Sequence, residues 1–516
     1  MSTGTFNLLG EPWIPIRWKA VEDGSAHGSE RPEALGLLDL FDRAHEIAGL
    51  GVAEPPAHAA LLRVLYALAI RTCALDQCGT SIDSWAERRQ EIWDEGRFPV
   101  EGVREYADRY RGRFFVFDPI GGRPWMQDPR LEEQCDAAKT AGVNKLIMTR
   151  PSGNNHAWFR HGRDTDPDFP SVSEAVLNLL LWHYWGPSGR CSAREVDGEK
   201  TASCAAGPLR TALSYHPEGK TLFETLLVGL VPPDSGDRLE EDVCPWESEE
   251  LPDPAGLPKG PAGPCSRLTA RSQHALLLVP DGASADDRGT PTLVRDAYIT
   301  WAYRAGRPAR DDDYLIWQVS TQNNRYPRPA DARRALWRDL DALLLKDPIG
   351  PSQARRPKVF RWAAELSTEL RVRALGFEQD GQAKDTQFVE AVTPPVLDHL
   401  EEKNPRTTNP IAQLRMLGER YGMRLRRALI LAWRAYFGDP KSDPEAWTTP
   451  AEARYWPAAE DTFWEFFRKM SRDRQELDVG FDEDRARTTF LQARRGSLRR
   501  GDQEPDRRAT RRQDRE

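Results

Sequence analysis

Cysteine is scarce in this chain: seven in 516 residues, an odd number spread thinly. A disulfide framework is excluded as its organising principle, and buried thiols in a reducing compartment are expected instead. Long apolar runs are missing as well. No stretch reaches the roughly 20 apolar residues that span a bilayer, and Met1-Ser2-Thr3-Gly4 lacks the basic-then-apolar layout of a signal peptide. A cytoplasmic chain with no membrane partner is the expectation. The Walker loop, the dinucleotide fingerprint, the nucleophile elbow and the His-Glu-x-x-His motif are all absent. The sequence therefore argues against an enzyme and calls for no cofactor.

Metal ligands are equally poorly provided for. His156 and His161 with Asp164 and Asp166 share one loop, but their mixed spacing matches no common metal site, and a solvated polar loop is the simpler reading. Cys191 and Cys204, Cys244 and Cys265, and Cys73 and Cys78 form no Cys-x-x-Cys knuckle, so packing roles are expected and no metal.

What is present is an ordinary globular balance: 39% hydrophobic and 29% charged residues, with 40 Pro and 38 Gly that call for many loops. The length exceeds what one hydrophobic core organises, so at least two units are expected. The formal charge of −8 hides a gradient. Residues 1–300 hold 31 Lys+Arg against 45 Asp+Glu, a net of −14, whereas residues 301–516 hold 41 against 35, a net of +6. Phosphate binding needs clustered cations, and these come late.

Along the chain, Phe6 to Arg17 gives two short apolar runs broken by Gly10 and Pro12, a pattern for two strands of a small sheet. Leu61, Leu62, Leu65, Leu68 and Ala69 recur at helical spacing within Ala57 to Asp76, and Trp85 to Trp93 continues so. Phe114 to Trp125 reads as a strand ending in a Pro/Gly turn, and Thr149 to Pro170 as a long irregular segment. Ser171 and Ser173 are placed to cap a helix over Glu174 to Trp182, followed by the glycine-bearing turn Trp185-Gly186-Pro187-Ser188-Gly189-Arg190. Residues 231–264 and 281–291 read as surface loops. Helices are predicted over Thr386 to Leu400, Pro410 to Phe437, Ala451 to Met470 and Phe481 to Arg495, an antiparallel bundle, before a charged tail expected to be disordered.

Most of the 17 tryptophans are expected in the core. Trp158-Phe159-Arg160-His161-Gly162-Arg163 differs, because two aromatics and two arginines in one loop suit stacking on bases and pairing with phosphates.

Taken in order, several of these stretches resemble the CasA family, the large subunits of type I-E CRISPR surveillance complexes (Cascade). They are Asn7-Leu8-Leu9 with Trp13-Ile14-Pro15, Pro124-Trp125-Met126-Gln127, Lys145-Leu146-Ile147 through Ser152-Gly153-Asn154-Asn155-His156-Ala157-Trp158, and Gly376-Phe377 through Gly381-Gln382-Ala383. The resemblance runs from residue 7 to about residue 390, with the bundle similar in type more than in letters. It implies an α+β fold: a large mixed N-terminal domain of small β-sheets and helices over residues 1–384, a C-terminal four-helix bundle over 385–495, and a tail over 496–516.

The resemblance also implies a function. Such subunits recognise the protospacer-adjacent motif (PAM) in double-stranded target DNA, open the duplex to start an R-loop, and recruit the helicase-nuclease. Their partners are CRISPR RNA and the small, backbone and 5′-handle subunits of Cascade. By position, Gly186, Ser188, Gly189 and Arg190 match the family's glycine loop, which lies against the minor groove; a glycine ending the preceding helix is the alternative. Gln382 matches the wedge glutamine, with Gln379 a second candidate and a plain polar turn the alternative. Arg295 stands where the family has a lysine. Trp158, Phe159, Arg160 and His161 open the loop that docks on the RNA complex. Arg424, Arg426 and Arg427 of the bundle either hold the displaced strand or form a solvated face. Two other classes compete: a non-catalytic interaction scaffold without direct DNA reading, and a metal-dependent hydrolase built on His156, His161 and the nearby aspartates.

Overall fold

The computed structural model describes residues 5–20, 31–117, 123–150, 152, 166–304, 312–347, 350–367, 369–380, 384–439, 441–472 and 480–498. The chain divides into two compact units, one of Met1–Ala332 with Asp347–Asp398, the other of Arg333–Lys346 with His399–Glu516.

The first unit is built around the helix Pro55–Thr72. Proline at its first positions and a run of Ala and Leu favour it locally. Every residue except Arg71 is buried, so the helix is a core element and not an amphipathic surface one. Burial obliges Arg63, midway along it, to find an anion. Asp312 supplies one through paired bonds of 2.7 and 3.0 Å, and Arg271 joins the same carboxylate at 2.9 Å. Arg63 also donates to Ser214, whose hydroxyl meets His216 at 2.9 Å. Burial opposes ionisation of Asp312, but the two guanidinium charges and their hydrogen bonds prevail and hold its carboxyl below the usual carboxylate range.

Small antiparallel sheets surround this helix. Ala34–Leu35, Ile14–Trp18 and Ile47–Leu50 form one, and Lys384–Val392, Arg371–Asp380 and Ser214–Glu218 another. Three two-stranded ribbons pair Gly189–Val196 with Glu199–Cys204, His274–Pro280 with Val294–Trp301, and Trp317–Val319 with Arg325–Pro327. Only the second of the two opening apolar runs is a strand; the first folds into a turn closed by Leu9 N–H donating to Asn7 Oδ1. The described residues of Phe114 to Trp125 contribute a single bridge, Asn7 with Phe115, in place of the predicted strand, because Leu8 and Val116 exchange backbone bonds with Phe114 and Phe6 there. Residues 231–264 are irregular as predicted but do not simply run over the surface. Cys244, Trp246 and Glu247 are buried, and Asp242 accepts from the backbone of Cys265 and Ser266.

The predicted helix over Thr386 to Leu400 is instead the strand Lys384–Val392, followed by a short turn Leu397–His399. Its alternating Val, Phe and Thr suit a strand, and cross-strand pairing with Arg371–Asp380 decides the matter. The expected boundary at 384/385 therefore cuts a hairpin; the units part at Asp398.

The second unit holds the long helices Pro405–Phe437, Glu445–Arg472 and Glu483–Ser497. Among the described residues the predicted fourth helix is replaced by the short helix Leu340–Leu344, from the excursion Arg333–Lys346. Trp337 of that excursion is fully buried and stacks on Phe463 at 5.0 Å, while Gly418 lets Trp337 and Phe490 approach the long helix. Of the predicted apolar stripe, Ile411, Leu414 and Leu425 are buried, but Ala428 and Ala432 are exposed. The tail beyond residue 498 lies outside the described residues.

Replacing Asp312 by Ala leaves two buried guanidiniums without their anion, and the expected loss of folding stability is about 3–5 kcal/mol. Urea unfolding of the purified chain measures it; a loss below about 1 kcal/mol would mean that the pair is not a buried constraint.

Candidate nucleic-acid interface

The helix Val172–Trp185 begins as predicted, with Ser171 Oγ accepting from the Glu174 N–H at 3.1 Å. It ends at Gly186, whose N–H bonds Trp182 O at 3.1 Å with an ordinary negative φ. Gly186 is therefore needed for space: a Cβ there would sit 2.6 Å from both Trp182 O and His274 Cε1. Its carbonyl accepts from Gly207 N–H at 2.8 Å, and a Cβ on Gly207 would lie 2.5 Å from Tyr184 O. Two glycines thus allow backbone to meet backbone.

Beyond this contact the chain turns outward. Pro187 O is held by His274 Nε2 at 3.1 Å and by the Cys204 thiol at 3.6 Å. Gly189 has φ +124°, a conformation that side-chain-bearing residues rarely adopt, and the space where a Cβ would stand is open. It starts the strand Gly189–Val196 and pairs with Cys204, whose thiol also reaches Gly189 O at 3.5 Å. Lys145 Nζ donates to Arg190 O at 2.9 Å, and Arg210 to Trp185 O at 2.9 Å. Gly186, Ser188, Gly189 and Arg190 are brought together at one corner. Gly186 is buried, Ser188 half-buried, and Gly189 and Arg190 are exposed.

Two buried histidines support this corner. His183 bonds Ser272 Oγ at 2.7 Å and Met126 O at 2.8 Å. Burial pushes His183 down to about 4 and His274 to about 3, so both rings are neutral. A carbonyl only accepts, so His274 Nε2 carries the hydrogen that holds Pro187; its Nδ1 is buried without a partner.

The second predicted element is the hairpin Arg371–Asp380 with Lys384–Val392, whose outermost pair is Asp380 with Lys384. Gln379 stands opposite Asp385, next to a bulge. Gln382 falls in the connection 381–383, outside the described residues. Glu378 accepts from Ala332 N–H at 3.2 Å and from Gln387 at 2.8 Å, and Gly376 lies against Ala212, a Cβ there reaching Ala212 O at 2.9 Å. The stretch from Gly207 to Ala212 thus joins the glycine corner to the hairpin's root. Five residues bound that gap to about 18 Å.

Arg295 is exposed at a bulge in Val294–Trp301, between the partners of Val279 and Pro280. The ribbon carrying Gly189 bonds the other end of this strand, Thr300 Oγ1 donating to Ser192 O at 2.7 Å. Five strand residues separate Arg295 from that contact by about 17 Å, so it stands at the opposite end of this strand. Trp158, Phe159, Arg160 and His161, with His156 and Asp164, lie outside the described residues. Among the described residues no group of three or more His, Cys, Asp or Glu is placed to hold a metal ion, and no helix is long and apolar enough to cross a membrane.

Sequence reasoning missed that His274, Lys145, Cys204, Gly207 and Arg210 meet at this corner. They come from separate stretches that meet only in the fold, and of these only Gly207-Pro208 carries a local turn signal.

Unfolding lets His183 and His274 take up protons near pH 6.5, whereas folding withholds them. Their contribution is complete above about pH 6.5 and is lost as pH falls toward 4 and 3, at up to about 1.4 kcal/mol per pH unit for each ring. Calorimetry between pH 7.5 and 5 should show this decline, shallower in His274→Gln; equal slopes would contradict a buried neutral His274. Gly186→Ala should cost about 1–3 kcal/mol through the clash with Trp182 and His274.

The family model for CRISPR-associated protein Cse1 matches residues 7–500. A CasA/Cse1 protein of Thermus thermophilus is 26% identical over 487 residues, covering 91% of this chain and 88% of its own length. A chain of a solved CRISPR RNA-guided surveillance complex in a pre-nicking state is 37% identical, with TM-score 0.75, covering 96% of this chain and 93% of that one. A second chain, from a CRISPR RNA-guided surveillance complex, is 34% identical with TM-score 0.76, covering 96% and 100%. Thermobifida fusca Cse1, at 21% identity, shares the fold with TM-score 0.72, covering 96% and 90%. Bundle, hairpin and glycine corner thus lie within a match that spans nearly the whole sequence, and the chain belongs to the CRISPR-associated Cse1 (CasA) family.

Proposed function

We propose that this chain is the large subunit of a type I-E CRISPR RNA-guided surveillance complex, and that it recognises a protospacer-adjacent motif, opens the duplex beside it and recruits a helicase-nuclease. Membership of the family and 37% identity to a chain of such a complex support the assembly role. CRISPR RNA and the other subunits are then its partners, with Trp158, Phe159, Arg160 and His161 in the docking loop. Target DNA and the helicase-nuclease are partners in turn. The role is physical and not catalytic.

One observation carries the DNA-reading part: an outward turn at Gly189 with φ +124° and open space at its Cβ position, on a base where the carbonyls of Trp185, Gly186 and Pro187 are held. A bare backbone on a rigid base can enter the shallow minor groove and approach base edges. Ser188 and Arg190 flank it with a hydroxyl and a cation. Minor-groove readout separates chiefly A·T from G·C, so several related motifs should be accepted.

The hairpin supplies the second step. Its root lies within about 18 Å of the glycine corner along Gly207 to Ala212, which is about half a turn of B-DNA. Gln382, and next to it Gln379, would then occupy the space of the first displaced base pair and offset the cost of unstacking. The CRISPR RNA reads sequence from there on. Arg424, Arg426 and Arg427 are exposed on the long helix of the second unit and suit electrostatic retention of the displaced strand. Arg295 would act as an outlying phosphate contact.

In the assembled complex, Gly189→Val should weaken binding to motif-containing duplex by roughly tenfold while leaving assembly on CRISPR RNA intact. Filter binding and size-exclusion chromatography separate the two effects; equal losses would reduce the turn to a structural element. Gln382→Ala should slow R-loop formation on linear duplex and spare a substrate already unpaired beside the motif. An unchanged rate on the linear duplex would remove the wedge.

A further inference from the structure

Cys191 and Cys204 lie on the two strands of the ribbon that begins at Gly189, and with Trp301 they form one small buried cluster. The register accounts for their approach. Gly189 pairs with Cys204 and Arg190 with Ser203, but pairing resumes only at Arg194 with Thr201. Residues 191–193 therefore face Ala202 alone, and such a bulge re-aims the side chains within it. Here Cys191 and its diagonal partner Cys204 share one buried cluster, whereas a regular ladder holds diagonal partners too far apart to cross-link.

The two thiols are chemically unequal. The neighbouring Cys204 thiol, opposed by burial and helped by the Thr300 hydroxyl and the Lys145 ammonium, draws Cys191 below the ordinary thiol range. The same thiol contact and burial push Cys204 up. Cys191 therefore has nucleophilic character and Cys204 is its resolving neighbour. Each keeps 7% of its surface exposed. By contrast, Cys244 and Cys265 are fully enclosed.

We propose that Cys191 and Cys204 are a thiol-oxidation site for small oxidants of the peroxide class, closing a reversible disulfide that resets the turn at Gly189. The Cys191 thiolate attacks one peroxide oxygen, the O–O bond breaks, and hydroxide leaves to be protonated to water. The resulting sulfenic sulfur is attacked by Cys204, an S–S bond forms, and the second oxygen leaves as water. Two thiols are oxidised, one hydrogen peroxide is reduced, and two waters result. The disulfide removes the Cys204 S–H that reaches Pro187 O and Gly189 O, and it draws the two strands together at the base of the turn. The effect on DNA rests on the proposed reading of that turn; the disulfide itself does not.

The test treats the full chain with hydrogen peroxide and maps its peptides. A Cys191–Cys204 cross-linked pair, about 2 Da lighter than the two thiol peptides and restored by a dithiol, is expected; Cys191→Ser and Cys204→Ser should each abolish it. Absence of the cross-link in the unaltered chain overturns the proposal. In the assembled complex, oxidation should weaken binding to motif-containing duplex about tenfold, reversibly, and leave both serine variants unaffected. If the cross-link forms and affinity holds while Gly189→Val still weakens binding, the link from thiols to turn is overturned. If Gly189→Val is also silent, the DNA-reading role of the turn fails and the oxidation site stands.

Discussion

One buried carboxylate organises the first unit. Asp312 accepts from Arg63 and Arg271 in surroundings that exclude water, where an unmatched charge costs several kcal/mol, so the segments carrying these groups must meet. Arg63 belongs to the central helix and also faces the rings of Tyr184 and Tyr314, at 5.9 and 5.0 Å. Tyr184 lies two residues before Gly186, Arg271 three before His274, and Ser214 opens the strand to which the hairpin pairs. The helix that ends at the glycine corner, the strand that supports it and the sheet that bears the hairpin are thus fixed together.

This explains how a backbone turn can be both exposed and rigid. Exposed glycines ordinarily cost order, because glycine has more freedom to lose than any other residue. Here the carbonyls of Trp185, Gly186, Pro187, Gly189 and Arg190 each have a donor, from Arg210, Gly207, His274, Cys204 and Lys145. The loss of freedom is spread over the unit, and only the tip is left for a ligand. The neutral state of His274 belongs to the same design, since a charged ring would place a second N–H at the buried, unpartnered Nδ1.

The second unit follows a different logic. Its three long helices bury aromatic side chains along their shared faces, and Arg338 pairs with Glu419 at 2.7 Å while lying 3.6 Å from the Trp456 ring centre. Small residues set how close the helices come: Gly422 leaves room for Trp456 as Gly418 does for Trp337 and Phe490. The excursion Arg333–Lys346 completes this core from a distant part of the sequence.

Local periodicity was enough to locate the central helix, the helix before the glycine turn and the three long C-terminal helices, because spacing of apolar residues is a property of a single segment. The glycine corner was legible from its own letters, and the resemblance pointed to the hairpin. The sequence misread Thr386 to Leu400 as a helix of the bundle and 231–264 as surface, where Trp246 and Cys244 are buried, and gave no sign that His274, Gly207, Lys145 and Cys204 converge on one turn. Those outcomes depend on pairing and burial between segments up to about 150 residues apart. No short window of sequence contains both partners of such a contact, so only the tertiary structure decides it.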